Sequence, residues 1–164
     1  MSGAVVRRVS DPADVAEALR IRHVVFVSEQ GVPEDLERDD RDADADHFLV
    51  GPAGLEVGAS RLVVEEPGFE EVDPGLGPVA HLGRLAVLPA ARGTGLGAAL
   101  VRAVEARAAE RGLAVVYLAA QTHAVQFYER LGYSAYGPEF DDAGLPHRHM
   151  LRRLQESRRV RGSR

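Results

Sequence analysis

Residues 83–112 read GRLAVLPAARGTGLGAALVRAVEARAAERG. The opening of this stretch completes an apolar run over 79–88, a strand that ends at Pro89 because proline has no N–H to continue a ladder. Further on, Leu96, Leu100, Val101, Val104 and Ala108 recur on one face of a helix that stops at Gly112. Between strand and helix stands the turn Arg92-Gly93-Thr94-Gly95-Leu96-Gly97. A helix start carries unpaired N–H groups and a partial positive charge. Glycines there accept positive φ and let successive amides converge on an anion, so the turn is expected to hold a phosphate group. It is not a Walker loop, because the chain contains no Lys. It also departs from the dinucleotide fingerprint, with Ala98 where the third glycine would stand, a position that sometimes takes alanine, so this exclusion is weak. The spacing it satisfies is Arg-x-x-Gly-x-Gly, through Arg92, Gly95 and Gly97.

Downstream, residues 113–119 are continuously apolar, as a central strand buried on both faces requires. Residues 122–131 read as a short helix closed by Gly132, and 133–140 with 146–154 as a hairpin around Asp141-Asp142-Ala143-Gly144. Upstream, Asp11 followed by Pro12 is a helix start, with Val15, Ala18, Leu19, Val25 and Phe26 as the buried stripe. A strand precedes it, and 47–50 and 56–65 follow as strands. Residues 28–46 form an acidic, irregular excursion, and 67–78 a turn-rich link. The order β-α-β-β-β-α-β-α-β-β predicts an α/β fold, a mixed sheet with helices on both faces.

A length of 164 residues fits one domain, and 45% hydrophobic with 27% charged residues suits a globular core. Residues 1–154 are expected to form that domain, and 155–164 a disordered basic tail. The sequence has no apolar run of membrane-spanning length, and MSGAVVRRVS lacks the apolar stretch of a secretory signal. With no Cys, a cytoplasmic location is the expectation. The net charge of −5 argues against nucleic acid as a partner. Asp40-x-Asp42-x-Asp44 opens like a calcium loop, but Ala45 and Gly51 stand where Gly and Glu are required, which leaves a solvated acidic loop. His147 and His149 share a strand face without a third ligand, so no metal is expected. Exposed sheet edges are compatible with a homodimer.

Residues 83–112 resemble the cofactor-binding segment of the GCN5-related N-acetyltransferase family, and AVQFYERLGY at 124–133 resembles the family's segment after the next strand. The resemblance implies a mostly antiparallel sheet with a V-shaped splay between strands 79–88 and 113–119. It implies acetyl-CoA as co-substrate, its pantetheine arm on the backbone of Leu85, Ala86 and Val87. The pyrophosphate would lie on Arg92 and the amides of Gly93, Thr94, Gly95, Leu96, Gly97 and Ala98. Gln121 stands near the place of the family's pantetheine-binding Asn. Tyr128 is the candidate general acid beside the thioester sulfur. Its alternative is a core aromatic bonded to a backbone carbonyl. With no Cys for a covalent intermediate, direct attack by an amine in a ternary complex is the simplest mechanism. A non-catalytic acyl-CoA sensor or interaction module on the same fold is the alternative.

The general base is left open by the residues. His81 falls on the strand lining the site, on the side of Leu85 and Val87 by alternation, and its alternative is a packed strand end. Glu29, Glu37 and Asp39 are the other candidates. VFVSEQGVPEDLERDDRDADADHFLV and GPEFDDAGLPHRHM resemble the ElaA-like branch of the family, which singles out Glu29, Gln30, His47, Glu139 and His147 as acceptor-site residues beside Glu37. An acceptor with a primary amine, a small molecule or a peptide, is cationic, and carboxylates at the cleft would concentrate it.

Overall fold

The computed structural model describes residues 5–154, so the tail at 155–164 lies outside the described residues. Seven strands form one sheet in the order β1-β2-β3-β4-β5-β7-β6. They are β1 (Val6–Val9), β2 (Asp46–Val50), β3 (Gly58–Glu65), β4 (Val79–Val87), β5 (Val115–Gln121), β6 (Ser134–Asp142) and β7 (Leu145–Arg153). Every neighbouring pair is antiparallel except β4 with β5. The α-helices are α1 (Pro12–Arg22), α2 (Glu34–Glu37), α3 (Leu96–Glu110) and α4 (Val125–Arg130).

Local chemistry sets these elements. Asp11 caps α1 by accepting from the Ala13 amide at 2.8 Å, and Pro12 fills the first helical position. The alternation of β2 sends Phe48 and Val50 to one face and Leu49 to the other. Leu100, Val101, Val104 and Ala108 of α3 pack on the first face with Leu82, Leu118 and Met150. Ala18, Ile21 and Val25 pack on the second with Leu49, Ala59 and Ala86. Each large side chain so buried contributes at most about 1.5–3 kcal/mol. On the second face, β5 is covered by the link after β3, where Val72 packs with Val79 and Tyr117. The β6–β7 hairpin turns through two residues, Ala143 (φ 54°) and Gly144 (φ 81°), tighter than the four-residue turn expected.

Two irregularities were not foreseen. Beyond α1 the chain widens into a π-helical turn, His23–Glu29, in which the Gln30 amide donates to the Val25 carbonyl. In β4, Ala86 pairs with Ala59 and Gly83 with Arg61, so Arg84 and Leu85 lie opposite the single residue Ser60. Arg84 takes φ 52°, a left-handed conformation costing a non-glycine residue about 1–2 kcal/mol. This bulge resets the alternation. Leu85 and Val87 pack with the α3 face, whereas His81 meets Phe69 and Tyr117 on the opposite one. The expectation that all three share a side is corrected by that extra residue.

Candidate active site

The parallel pairing of β4 with β5 consists of Ala80 with Val116 and His81 with Tyr117. Beyond His81 the strands part, which leaves the facing backbone edges of both without a ladder partner. A cleft of about 450 Å³ opens there, lined on its two walls by Leu82–Leu85 and Leu118–Gln121. The splay thus exists as expected, and unpaired strand edges are what an extended ligand with its own amides can complete. Gln121 spans the opening, its Nε2 donating to Gln30 Oε1 at 2.8 Å, while His123 Nε2 lies 2.8 Å from its Oε1. Gln30, at the end of the π-helical turn, and Gln121 both line the cleft.

At the glycine turn, Gly93 (φ 80°) and Gly95 (φ 86°) are left-handed, and a Cβ at either would meet nothing within 4 Å. Gly95 caps α3 with no side-chain bond to the helix amides. Among the described residues, the N–H groups of residues 93–98 donate to no backbone carbonyl, the first such bond being Ala99 to Gly95 at 3.1 Å. An open row of amides at a helix start is an anion seat. Thr94 Oγ1 is turned away, donating to the Ala91 carbonyl at 2.7 Å. Gly97 has a different task, since a Cβ there would lie 3.3 Å from Phe127 Cζ. Its lack of a side chain lets Phe127, which lines the cleft, pack on the first turn of α3.

Arg92 is already occupied. It donates from Nε to the Val87 carbonyl at 2.8 Å and from both terminal nitrogens to the Glu29 carboxylate at 2.7 and 2.6 Å. The hydrogen bond from Arg92 holds the Glu29 carboxyl below its usual value. Glu29 therefore sits beside the glycine turn rather than in the cleft, and a carboxylate made less basic is ill suited to accept a proton.

His81 has the geometry of a base. Its Nδ1 lies 2.8 Å from Glu65 Oε2 at the end of β3. Burial would raise the Glu65 carboxyl, but bonds from His81 and Arg41 outweigh it and hold it below its usual value. A carboxylate only accepts, so Nδ1 carries the hydrogen and, in the neutral ring, Nε2 keeps its lone pair. Phe69 and Tyr117 pack on the ring at centroid distances of 5.4 and 5.0 Å. Tyr128, on α4, is 7% exposed and lines the same cleft. Burial alone pushes its hydroxyl well above the phenol range, with no hydrogen bond contributing. The carbonyl-bonded alternative for this tyrosine does not hold among the described residues.

The acidic excursion is not a solvated loop. Arg22, 1% exposed, donates from Nε to Glu37 at 2.6 Å and from Nη1 to Asp42 at 2.7 Å. Arg61 donates to Asp39 and Asp42 at 2.7 and 2.8 Å, and Arg84 to Asp39 at 3.2 Å. Three acids are thus neutralised by three arginines from α1, β3 and β4. Glu37 lines the cleft, yet it is 2% exposed and bonded to Arg22, so it is no free base. His47, buried on β2, donates from Nε2 to the Asp42 carbonyl at 2.8 Å and does not line the cleft. Glu139 stands in a three-residue β6 bulge, in a shallow depression apart from the cleft. His147 does line the cleft, its Nδ1 donating to the Leu145 carbonyl at 2.8 Å. Glu65 and Arg84 were missed. Glu65 becomes visible only once β3 and β4 are in register, and nothing local marks Arg84 as left-handed. Among the described residues, no group of three or more acidic or imidazole side chains is arranged to hold a metal ion.

Residues 56–154 match the family model described as acetyltransferase (GNAT) domain. The chain is similar to the uncharacterized N-acetyltransferase YjcF of Bacillus subtilis (strain 168), with 36% identity over 137 residues, 83% of this chain and 90% of that one. It is 31% identical over 138 residues to protein ElaA of Escherichia coli (strain K12), covering 83% and 85% of the two chains. Among solved structures, the putative N-acetyltransferase from Lactobacillus plantarum matches with a TM-score of 0.79 at 29% identity, over 94% of this chain and all of that one.

Proposed function

Because this chain belongs to the GCN5-related N-acetyltransferase family, within its ElaA-like branch, we propose that it moves an acetyl group from acetyl-CoA to a primary amine by direct attack in a ternary complex. The observation that carries the reading is the succession of two features along one segment of chain. The splay between β4 and β5 leaves strand edges open, and the amide row over residues 93–98 stands where β4 has turned into α3. Amides of a pantetheine arm would complete the first, and a pyrophosphate would seat on the second. Leu85, Ala86 and Val87 would supply the backbone edge, and Gln121 a side-chain contact near it.

The chemistry then falls to two side chains on the cleft. The acceptor nitrogen attacks the thioester carbonyl, and His81 Nε2 takes the proton it sheds, with Glu65 orienting the ring. As the carbon–sulfur bond breaks, the charge on the departing sulfur is met by the Tyr128 hydroxyl. A phenol pushed upward by burial keeps its proton against a thiolate of ordinary basicity. Tyr128 therefore acts as a hydrogen-bond donor to the sulfur, and the proton that completes the thiol comes through solvent. Glu29 acts at the turn, holding Arg92 in place until a phosphate competes for it.

Thermal unfolding with acetyl-CoA, CoA, ATP or NAD, each in large excess, tests the cofactor. A ligand at about a hundred times its Kd stabilises by about 2.7 kcal/mol, a rise of roughly 5–10 °C in Tm for this size. The expected result is a rise with acetyl-CoA and CoA alone. No response to either would sink the proposal. Stabilisation without CoA release for any amine would favour an acyl-CoA sensor over an enzyme.

A further inference from the structure

The end of the cleft away from the glycine turn combines aromatic walls with carboxylates. Phe69, Tyr117 and Phe140 supply aromatic surface there, and Glu70 and Asp142 supply charge. Both residues are exposed, and among the described residues neither carboxylate forms an ion pair. Arg84, which lines the cleft, is engaged with Glu37 and Asp39, Arg41 is engaged with Glu65, and Arg148 lines a separate depression. A third polar group points the same way. His147 is 8% exposed and donates through Nδ1 to the Leu145 carbonyl, which leaves Nε2 as a lone-pair acceptor on the cleft wall. In its neutral form His81, with Nδ1 on Glu65, likewise offers Nε2 as an acceptor. Tyr117, the remaining hydroxyl, is bonded to His149 Nδ1 at 2.7 Å. Acceptors thus face a space that no unpaired arginine lines among the described residues, over aromatic faces that suit a cation or its methylene stem.

Resting on the acyl-transfer reading, we propose that the acceptor is a small organic polycation with at least two basic nitrogens, one delivered to His81 and a second held at the mouth by Glu70 and Asp142. The division of labour follows from the charges. The nitrogen that reacts must be neutral, and the carboxylates at the mouth favour the protonated form of whatever nitrogen they hold. One basic nitrogen cannot serve both ends, and two can. The two carboxylates act on one region. The Tyr117 hydroxyl is pushed upward by its burial first, and Tyr136, Glu70, Asp142 and Glu65 add to that shift. An acceptor bearing a carboxylate would meet repulsion at the mouth and no cation to offset it, which disfavours amino acids. This role differs from that expected of Glu37 and Asp39, whose charges the arginine cluster has consumed.

The test compares, with the full-length protein and saturating acetyl-CoA, an α,ω-diamine, the n-alkylamine of equal chain length and the matching ω-amino acid. CoA release and product mass are read at low and at moderate salt. The diamine should exceed the monoamine in kcat/KM by about five- to tenfold at low salt, through KM, with the amino acid poorest. Glu70→Gln and Asp142→Asn should each shrink the diamine-to-monoamine ratio by about two- to fivefold, and added salt should shrink it too. Equal use of diamine and monoamine would overturn the acceptor class and leave acetyl transfer standing. If no amine is turned over, titration of the diamine into the CoA-saturated protein separates the two claims. Binding weakened by Glu70→Gln would uphold the acceptor class and end the transfer reading, whereas no binding would end both.

Discussion

In the proposed reaction, two side chains lining the cleft, Tyr128 and His81, carry opposite demands on a proton. Tyr128 must keep its hydrogen, and burial arranges that, while its ring is held by Phe127 at 4.9 Å and Tyr133 at 5.9 Å. Tyr128→Phe should therefore leave packing and the acetyl-CoA-induced Tm rise intact. Its kcat should fall about tenfold to a few hundredfold, the value of one hydrogen bond to a developing charge. Unchanged turnover would make Tyr128 a packing aromatic and nothing more. His81 must offer a lone pair, and Glu65 fixes which nitrogen does so. His81→Ala should cost about a hundredfold or more in kcat/KM at neutral pH, with cofactor stabilisation retained. The partial return of rate on adding imidazole would separate a lost base from a lost packing group.

At the level of elements, the turn and the bulge differ in how they could be read. The strand–turn–helix of residues 83–112 declares itself locally, because Pro89, the glycines and the 3.6-residue period of α3 each act within a few positions. Gly95 and Gly97 then separate by mechanism. Gly95→Ala forces a methyl group into a left-handed backbone at a cost of about 1–2 kcal/mol and loosens the amide row. Gly97→Ala keeps the helix but presses on Phe127, at 3.3 Å. The first should weaken acetyl-CoA binding with a lowered Tm. The second should alter the cleft wall with little loss of pyrophosphate affinity, measured as CoA Kd by calorimetry. What stayed illegible is where the period changes without a residue to announce it. HVVFVSE at 23–29 reads the same as α- or π-helix, since its apolar residues cover both faces. Arg84 gives no sign that it will turn left-handed, so strict alternation put His81 with Leu85 and Val87. The long-range pairings, Glu29 with Arg92 and Glu65 with His81, lie 63 and 16 residues apart and needed the register.

Across the whole molecule, charge is organised by pairing that a net value of −5 conceals. The sequence presents residues 29–46 as a run of acids, and the fold answers it with arginines from three separate elements. Burial alone would raise the Asp42 carboxyl, but Arg22 and then Arg61 outweigh it and hold it well below the usual range. Asp39 is depressed as well, chiefly by its bond from Arg61. Groups depressed in the folded state stabilise it fully above the unfolded carboxylate value of about 4, and that contribution is lost as pH falls through the folded values. Tm should thus be level near neutrality and drop on acidification below about pH 4. Asp42→Asn should flatten that drop while lowering Tm at pH 7, because Arg22 and Arg61 then lose the negative charge they share there. Removing the buried cation is more severe. Arg22→Met leaves Glu37, 2% exposed, and Asp42 facing each other without their shared counter-charge, at a cost of about 3–5 kcal/mol. Leu36 and Glu37 belong both to this cluster's segment and to the cleft wall, and Arg84 ties that segment to the β4 bulge through the Leu36 and Glu37 carbonyls. The cluster therefore sets the shape of that cleft wall as well as the stability. Arg84→Gly separates the two, since glycine accepts the left-handed backbone while the tether is lost. Its acceptor KM should rise several-fold with the CoA Kd unchanged. A parallel loss of CoA affinity would mean that the arginine serves the bulge itself.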